Sequence, residues 1–294
     1  RINAYNLLTI IHTATGIITP IGGFIVAAYG IIRAEKIFMI FAAVCMLISM
    51  ILRNKFYTET KIGQKVLSEG GDYRLSGVLK GVLQKDAIKA LIKNPSLIMI
   101  VSVYIIYRMY YSIGSLLSLY FAVYLTEVLK INESIISVFG GINSFVLLLL
   151  CVFITPQITR RLESKAMIAK VLMVGFLFQI AYAVLMVVMP VNNLVFVTLA
   201  IVLYGIGFGL GRTYSDSMLA SSTEQVAADR AGVYSLVNTA VSFSSIIMGS
   251  VSGFLYVLNP HLIYIITIGM LTINVIILLF YAKRPENLEL ETNG

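Results

Sequence analysis

The sequence predicts an all-α integral membrane protein of eight membrane-spanning helices, and three observations carry that expectation. Apolar residues make up 59% of the chain and charged residues only 12%, with a mean hydropathy of +0.91; a soluble domain is about 45–50% apolar and about 25% charged. Uninterrupted apolar runs of about 20 residues recur, the length needed to cross about 30 Å of hydrocarbon. The runs are continuous and not alternating, so the backbone is satisfied within helices and not around a closed barrel. A soluble enzyme and a nucleic-acid-binding domain are both excluded on these grounds. The net charge of +8 reads instead as a topology signal.

The spans fall at 4–31, 34–52, 97–125, 134–155, 167–189, 194–214, 231–257 and 262–282. Span one carries Pro20, Gly22 and Gly23, residues that membrane helices tolerate better than soluble ones. A short turn leads into span two. The one long connection is 53–95, where Val78, Leu79, Val82, Leu83, Ile88, Leu91 and Ile92 recur at helical spacing with Lys80, Lys85, Lys89 and Lys93 on other faces. That pattern predicts an amphipathic helix on the inner membrane surface, with a solvated cytoplasmic helix as the alternative. It stops before Pro95, whose ring disfavours helical geometry in the residue ahead of it. Spans three to eight follow with short connections. Cys45 and Cys151 both lie within apolar runs, where a thiol behaves as a small hydrophobe. No signal peptide is visible, and Arg1 directly precedes an apolar run, so the chain is expected to begin in mid-protein.

Orientation follows from the lysines and arginines of the loops, which accumulate on the cytoplasmic side. With Arg1 inside, the cytoplasmic segments hold 17 basic residues, among them Arg160, Arg161, Lys165 and Lys170, and the outer ones hold Arg33, Lys36 and Lys130. One missed helix would scramble that division. Both ends are therefore expected in the cytoplasm.

An internal repeat is the next signal. At an offset of 229, Arg1, Tyr5 and Leu7 match Arg230, Tyr234 and Leu236, and Ile17 and Ile18 match Ile246 and Ile247. Thr9, Thr13, Gly16, Pro20 and Gly23 share one helix face; the same offset gives Asn238, Ser242, Ser245, Gly249 and Ser252, again a small or polar stripe. Six spans separate the two starts, so both copies run in the same sense, one of the symmetries from which transporters are built.

This layout, with a basic linker between six-helix halves, resembles the major facilitator superfamily of secondary transporters. The stretch from Tyr204 to Asn238 is similar to its helix 10, inner loop and start of helix 11. TGIITPIGG, from Thr15 to Gly23, resembles the glycine–proline motif of helix 5, but has Thr19 where Gly is usual and one residue fewer before the glycine pair. ITRRLESK, from Ile158 to Lys165, stands in the place of the basic motif between helices 8 and 9 and keeps Arg161 and Lys165, with Arg160 and Glu163 as departures. The resemblance implies helices 5 to 12 of a twelve-helix fold, with the first four missing. Residues 1–52 would then be the last two helices of the N-terminal bundle, 53–95 the cytoplasmic linker, 96–284 a complete C-terminal six-helix bundle and 285–294 a cytoplasmic tail.

An ionisable residue inside a span is costly and marks a functional candidate. Arg108 is the sharpest: entering near Leu97, it lies about 16 Å deep at about 1.5 Å per residue. Tyr104, Arg108, Tyr111 and Ser115 share one face and offer a fixed cation, two phenols and a hydroxyl, which suits a polar or anionic substrate. The alternative is that Arg108 pairs with an acid on the missing helices and locks the halves together. Arg212 and Asp216, one turn apart at the inner end of span six, read as a structural or gating pair, and Arg161 is grouped with them. Gly205, Gly207, Gly209 and Gly211 predict close helix packing. His12 is a candidate proton relay or a satisfied interior histidine; His261, in an outer loop, carries no signal. Asn143, Gln179, Asn238 and Asn274 read as interhelical glue, with Asn143 and Asn238 as second candidates for lining a cavity. No acid stands deep in any of these spans, so a coupling carboxylate is expected on the missing helices.

These features point to a secondary active transporter of a small solute working by alternating access between two bundles. A multidrug efflux pump of the same superfamily, a membrane enzyme or flippase on another fold, and a non-transporting sensor are the alternatives. No catalytic or histidine-rich metal constellation appears in the sequence, so the protein is not expected to be an enzyme. No cofactor is expected, beyond coupling to H+ or Na+. The expected partners are the lipid bilayer and a small-molecule substrate, with no nucleic acid, in a protein that is monomeric when full length. The expected location is the cell membrane, and the high Ile, Lys and Asn content without Trp suggests a bacterial source.

Overall fold

A computed structural model describes residues 2–16, 19–58, 64, 85–162, 164–223 and 230–283. Helices account for nearly all of them. In chain order they are α1 (Ile2–Gly16), α2 (Thr19–Tyr29), α3 (Ile31–Phe56), α4 (Lys85–Lys93), α5 (Pro95–Gly114), α6 (Leu119–Glu127), α7 (Glu133–Leu149), α8 (Thr155–Arg160), α9 (Lys165–Val188), α10 (Leu194–Thr223), α11 (Arg230–Leu258) and α12 (Leu262–Ala282), with a π-helical turn at Leu150–Ile154 joining α7 to α8. Among the described residues, seven helical segments are long and apolar enough to cross a membrane, and Pro20–Tyr29 is a shorter apolar helix.

The chain therefore belongs to the all-helical membrane class, with the span boundaries adjusted. The first predicted span is described as two helices, α1 and α2, with Pro20 in the first turn of α2, where its missing N–H costs no helical bond. Gly30 turns the chain into α3 with φ 76. The third predicted span is α5 and α6, separated by a turn at 115–118 where Ser115 Oγ accepts from Leu117 N at 3.2 Å. Polar side chains of this kind compete with helical hydrogen bonding. Span six runs nine residues beyond its predicted end, to Thr223. Helix starts are set by short polar caps: Asn94 Oδ1 accepts from Leu97 N at 3.1 Å with Pro95 in the first turn, Asn132 Oδ1 from Ser134 N at 3.0 Å, and Ser164 Oγ from Met167 N at 3.3 Å.

The core lies among α5, α7, α9, α10 and α12. Helices α9 and α10 approach closely: a Cβ on Gly207 would stand 2.6 Å from Gly175 O. Helix α9 also packs on α12, α12 on α5, and α5 on α11. Asn274 Nδ2 donates to Val103 O at 3.3 Å across the α12–α5 contact, the interhelical role expected of it. Helix α4 packs on the ends of α5 and α11 with Ile88 and Leu91 half-buried, while Ile92 stays 65% exposed. The upstream part of the predicted amphipathic helix, Val78 to Leu83, lies outside the described residues.

The small stripe of the first repeat copy packs against α7. Gly16 abuts Ser144 and Gly23 abuts Ser137, and a Cβ on Gly141 would meet the Pro20 ring at 2.5 Å. Thr9 and Thr13 are buried along the same face. In the second copy, Ser252 is buried, but Asn238 and Ser242 are exposed and nothing stands within 4 Å of a Cβ on Gly249. Helix α3 packs on α2 and leaves its large apolar side chains open, Phe41 at 68% and Met46 at 75% exposure.

The π turn has a local cause. Pro156 has no N–H, and Thr155 N donates five residues back to Leu150 O. In that register the partner of the Cys151 carbonyl would be residue 156, which has nothing to donate. Asn6 Nδ2 of α1 supplies the missing donor at 2.7 Å. Beside this contact, a cavity of about 360 Å³ is lined by Asn6, Leu7, Ile10, Pro156, Thr159 and Arg160.

Candidate functional site

Helices α5 and α10 run antiparallel and face each other with two matched stripes. On α5 the stripe is Tyr104, Arg108 and Tyr111; on α10 it is Phe208, Arg212 and Asp216, each one turn from the next. Arg108 Nη2 donates to Tyr104 Oη at 2.8 Å and to Asp216 Oδ1 at 3.1 Å. Its guanidinium lies 5.0 Å from the centroid of the Tyr104 ring, within range of a cation–π attraction. The ion pair is only partly screened by solvent, with side-chain exposures of 28% for Arg108 and 13% for Asp216. Arg108 Nε is buried without a hydrogen-bond partner.

Arg212 extends over the Phe208 ring at 5.9 Å. Phe208 stacks in turn on Tyr111 at 5.7 Å and on Tyr204 at 5.5 Å. Behind this ladder, Tyr107 packs against Phe176 and Tyr110. Gly211 makes room for it, since a Cβ there would stand 3.1 Å from Tyr107 Oη and 3.2 Å from Gln179 Nε2. The result is a cationic and aromatic face with a single carboxylate, built on two rigid helices.

The expected gating pair is therefore redistributed. Asp216 binds Arg108 on the facing helix, and among the described residues Arg212 makes no ion pair. The helix that carries this carboxylate is longer than expected: α10 continues to Thr223, about two turns beyond Asp216. Ser115 is fully buried beyond the end of α5, in the turn to α6 and outside the Arg108 cluster. Asn143 is buried on α7 against Gly205, with Oδ1 unpartnered. Asn238 stands exposed on α11, one turn from Tyr234. Arg161 is exposed at the end of α8. The glycines divide by face: Gly205 and Gly209 against α7, Gly207 and Gly211 against α9 and α5, the close packing expected of them. The side chain of His12 lies outside the described residues.

Sequence reasoning missed the buried tyrosines. Tyr107, Tyr110, Tyr182, Tyr204 and Tyr264 are all within 2% of full burial. Tyr182 contacts both Tyr204 and Tyr264 edge-on. His261, given no role, lies 2.8 Å by Nδ1 from Tyr124 Oη. Tyr124 Oη donates to Met186 O at 2.7 Å, so the histidine is left to supply the proton of its own contact. The available signal was the run Tyr107-Arg108-Met109-Tyr110-Tyr111, where phenols surround the cation on several faces. Among the described residues no three His, Cys, Asp or Glu side chains gather as metal ligands.

Comparison with known proteins adds the following. A family model described as Major Facilitator Superfamily matches residues 3–228. A bacterial homologue of the iron transporter ferroportin, crystallised in an outward-facing state, aligns with a TM-score of 0.54 at 14% sequence identity, over 65% of this chain and 46% of that one. At this identity the likeness is one of fold. This chain spans about half the length of that relative. No curated protein matches the sequence.

Proposed function

Because this chain belongs to the Major Facilitator Superfamily, a superfamily of membrane transporters and not of enzymes, we propose that it belongs to a secondary active transporter that moves a small polar or anionic solute by alternating access. The observation that carries this reading is the Arg108–Asp216 pair, 3.1 Å long and set between α5 and α10 with Tyr104 as a third partner. Charges within a membrane span are retained where a solute or ion passes, and here one guanidinium atom, Nε, remains without a partner.

In this proposal residues 1–52 belong to an N-terminal bundle and 96–284 to a C-terminal one, joined by the linker 53–95. The two copies of the small stripe support it. The first copy is filled by α7, whereas the second, on α11, leaves Asn238, Ser242 and Gly249 uncovered, as expected if a helix equivalent to α7 in another six-helix half covers it. The basic-residue distribution supports cytoplasmic ends in a cell membrane. The energy source in this reading is H+ or Na+, with Asp216 the nearest carboxylate to the site.

The test is solute uptake into liposomes by the full-length protein, with a panel of labelled small solutes. Arg108→Ala is expected to reduce uptake at least tenfold while the protein still purifies as a folded monomer. Undiminished uptake and binding by Arg108→Ala would remove the site from this pair of helices.

A further inference from the structure

We infer that the α5–α10 site takes a singly charged organic carboxylate, docked on Arg212 against the aromatic ladder; this rests on the reading of that cluster as the solute site. Charge is the first argument. Two guanidiniums and one carboxylate face each other, and Asp216 is already bound to Arg108 at 3.1 Å. Arg212 has no counter-ion among the described residues, so the face carries one excess positive charge. A lone guanidinium within a membrane span is costly, and a ligand bearing one negative charge completes the arrangement.

Position is the second argument. Arg212 extends over Phe208, one turn back along α10, the direction in which a helical side chain leans. The ring holds the guanidinium in place and leaves its N–H groups without hydrogen-bond partners among the described residues. A carboxylate matches that planar fork with two parallel hydrogen bonds. A phosphate group would bring about −1.5 to −2 charges and leave the face net negative.

The third argument is the wall. Phe208 stacks between Tyr111 and Tyr204 beside Arg212; Phe208 and Tyr204 are buried and Tyr111 is half-buried. An apolar, flat body attached to the carboxylate finds the open part of the Tyr111 ring next to the charge. A small hydrated anion makes no use of it.

Benzoate, benzylamine and inorganic phosphate are the probes, titrated calorimetrically into the full-length protein in detergent. Saturable benzoate binding is expected, with phosphate at least tenfold weaker and benzylamine undetectable. Arg212→Gln should weaken benzoate at least tenfold, and Arg212→Lys, which keeps the charge and loses the fork, should fall between. Absent benzoate binding, equal binding of benzylamine, or unchanged benzoate affinity in a folded Arg212→Gln protein overturns the inference. Should Arg212→Gln not fold, the ranking of the three probes on the unaltered protein decides. Uptake measurements separate the two readings. Benzoate bound through Arg212 in a protein that moves no solute sinks the transporter and keeps the site. Arg108-dependent uptake of a neutral solute without benzoate binding does the reverse.

Discussion

Asp216→Leu and Arg108→Met, alone and together, measure what the ion pair contributes. Each single change leaves one charge uncompensated between α5 and α10. The loss is about 3–5 kcal/mol for a fully buried pair and no more than about 1 kcal/mol for an exposed one. With exposures of 28% and 13%, the pair lies between these limits, so each single substitution should cost about 2–3 kcal/mol. In the double variant both charges are replaced by apolar groups of similar size, which is often neutral. Its stability should return to within about 1 kcal/mol of the starting protein, giving a coupling of at least about 3 kcal/mol across the cycle. Unfolding of the full-length protein in detergent can be followed by the loss of helical circular dichroism. Uptake measured on the same four proteins then separates bracing from transport. A stable double variant that transports nothing fits a solute contact at Arg108. Neutral single variants with no coupling would mean that the pair does not form. A double variant with full uptake would mean that the pair only braces the bundle.

Two further outcomes test the packing that holds the site. Gly207→Ala places a Cβ 2.6 Å from Gly175 O and 2.9 Å from Gln179 N; forcing α9 and α10 apart should cost about 1–3 kcal/mol, outweighing a helix-propensity gain of up to about 1 kcal/mol. Gly269→Ala on α12, with nothing within 4 Å, should be neutral or slightly stabilising, and equal melting temperatures for these two variants would contradict the close approach. Asn6→Ala removes the donor to the Cys151 carbonyl and should cost about 1–2 kcal/mol. That cost should shrink in a Pro156→Ala background, where residue 156 regains an N–H; an unchanged cost, measured by thermal unfolding, would show that the π turn is not the reason for the contact.

The parts of this molecule that composition and period encode were legible, and those that depend on which helices meet were not. Hydropathy located the spans because it reports what faces lipid, and it failed at the inner end of α10 for the same reason. Beyond residue 214 the helix carries Ser215, Asp216, Ser217, Ser222 and Thr223, and the hydroxyl residues among these are buried against protein. A helix surrounded by other helices need not be apolar to continue. Ending span six early put Asp216 at an interface, next to Arg212 in sequence, when its partner was 108 residues away on α5. Arg108 itself could be recognised because a guanidinium in an apolar run has only a few explanations. Its partner could not, since an acid on any neighbouring helix would serve equally well.

The same division runs through the rest of the candidate site. Glycines at every second position of α10 announced close packing, but not that Gly207 and Gly211 would open space for Gln179 and Tyr107 while Gly205 and Gly209 took α7. Pro156 announced a disturbed helix, but the carbonyl it left over, and the reach of Asn6 from α1 to satisfy it, depend on a register that only the fold sets. Asn143 shows the converse. Its amide in an apolar span read first as interhelical glue and second as a cavity lining, and it is buried against Gly205 with its Oδ1 unpartnered. A polar side chain within a span thus marks a constraint and not yet a ligand. What separates Arg212 from the others is that its charge lies over an aromatic ring and makes no ion pair among the described residues, while the carboxylate one turn away on its own helix is taken by Arg108.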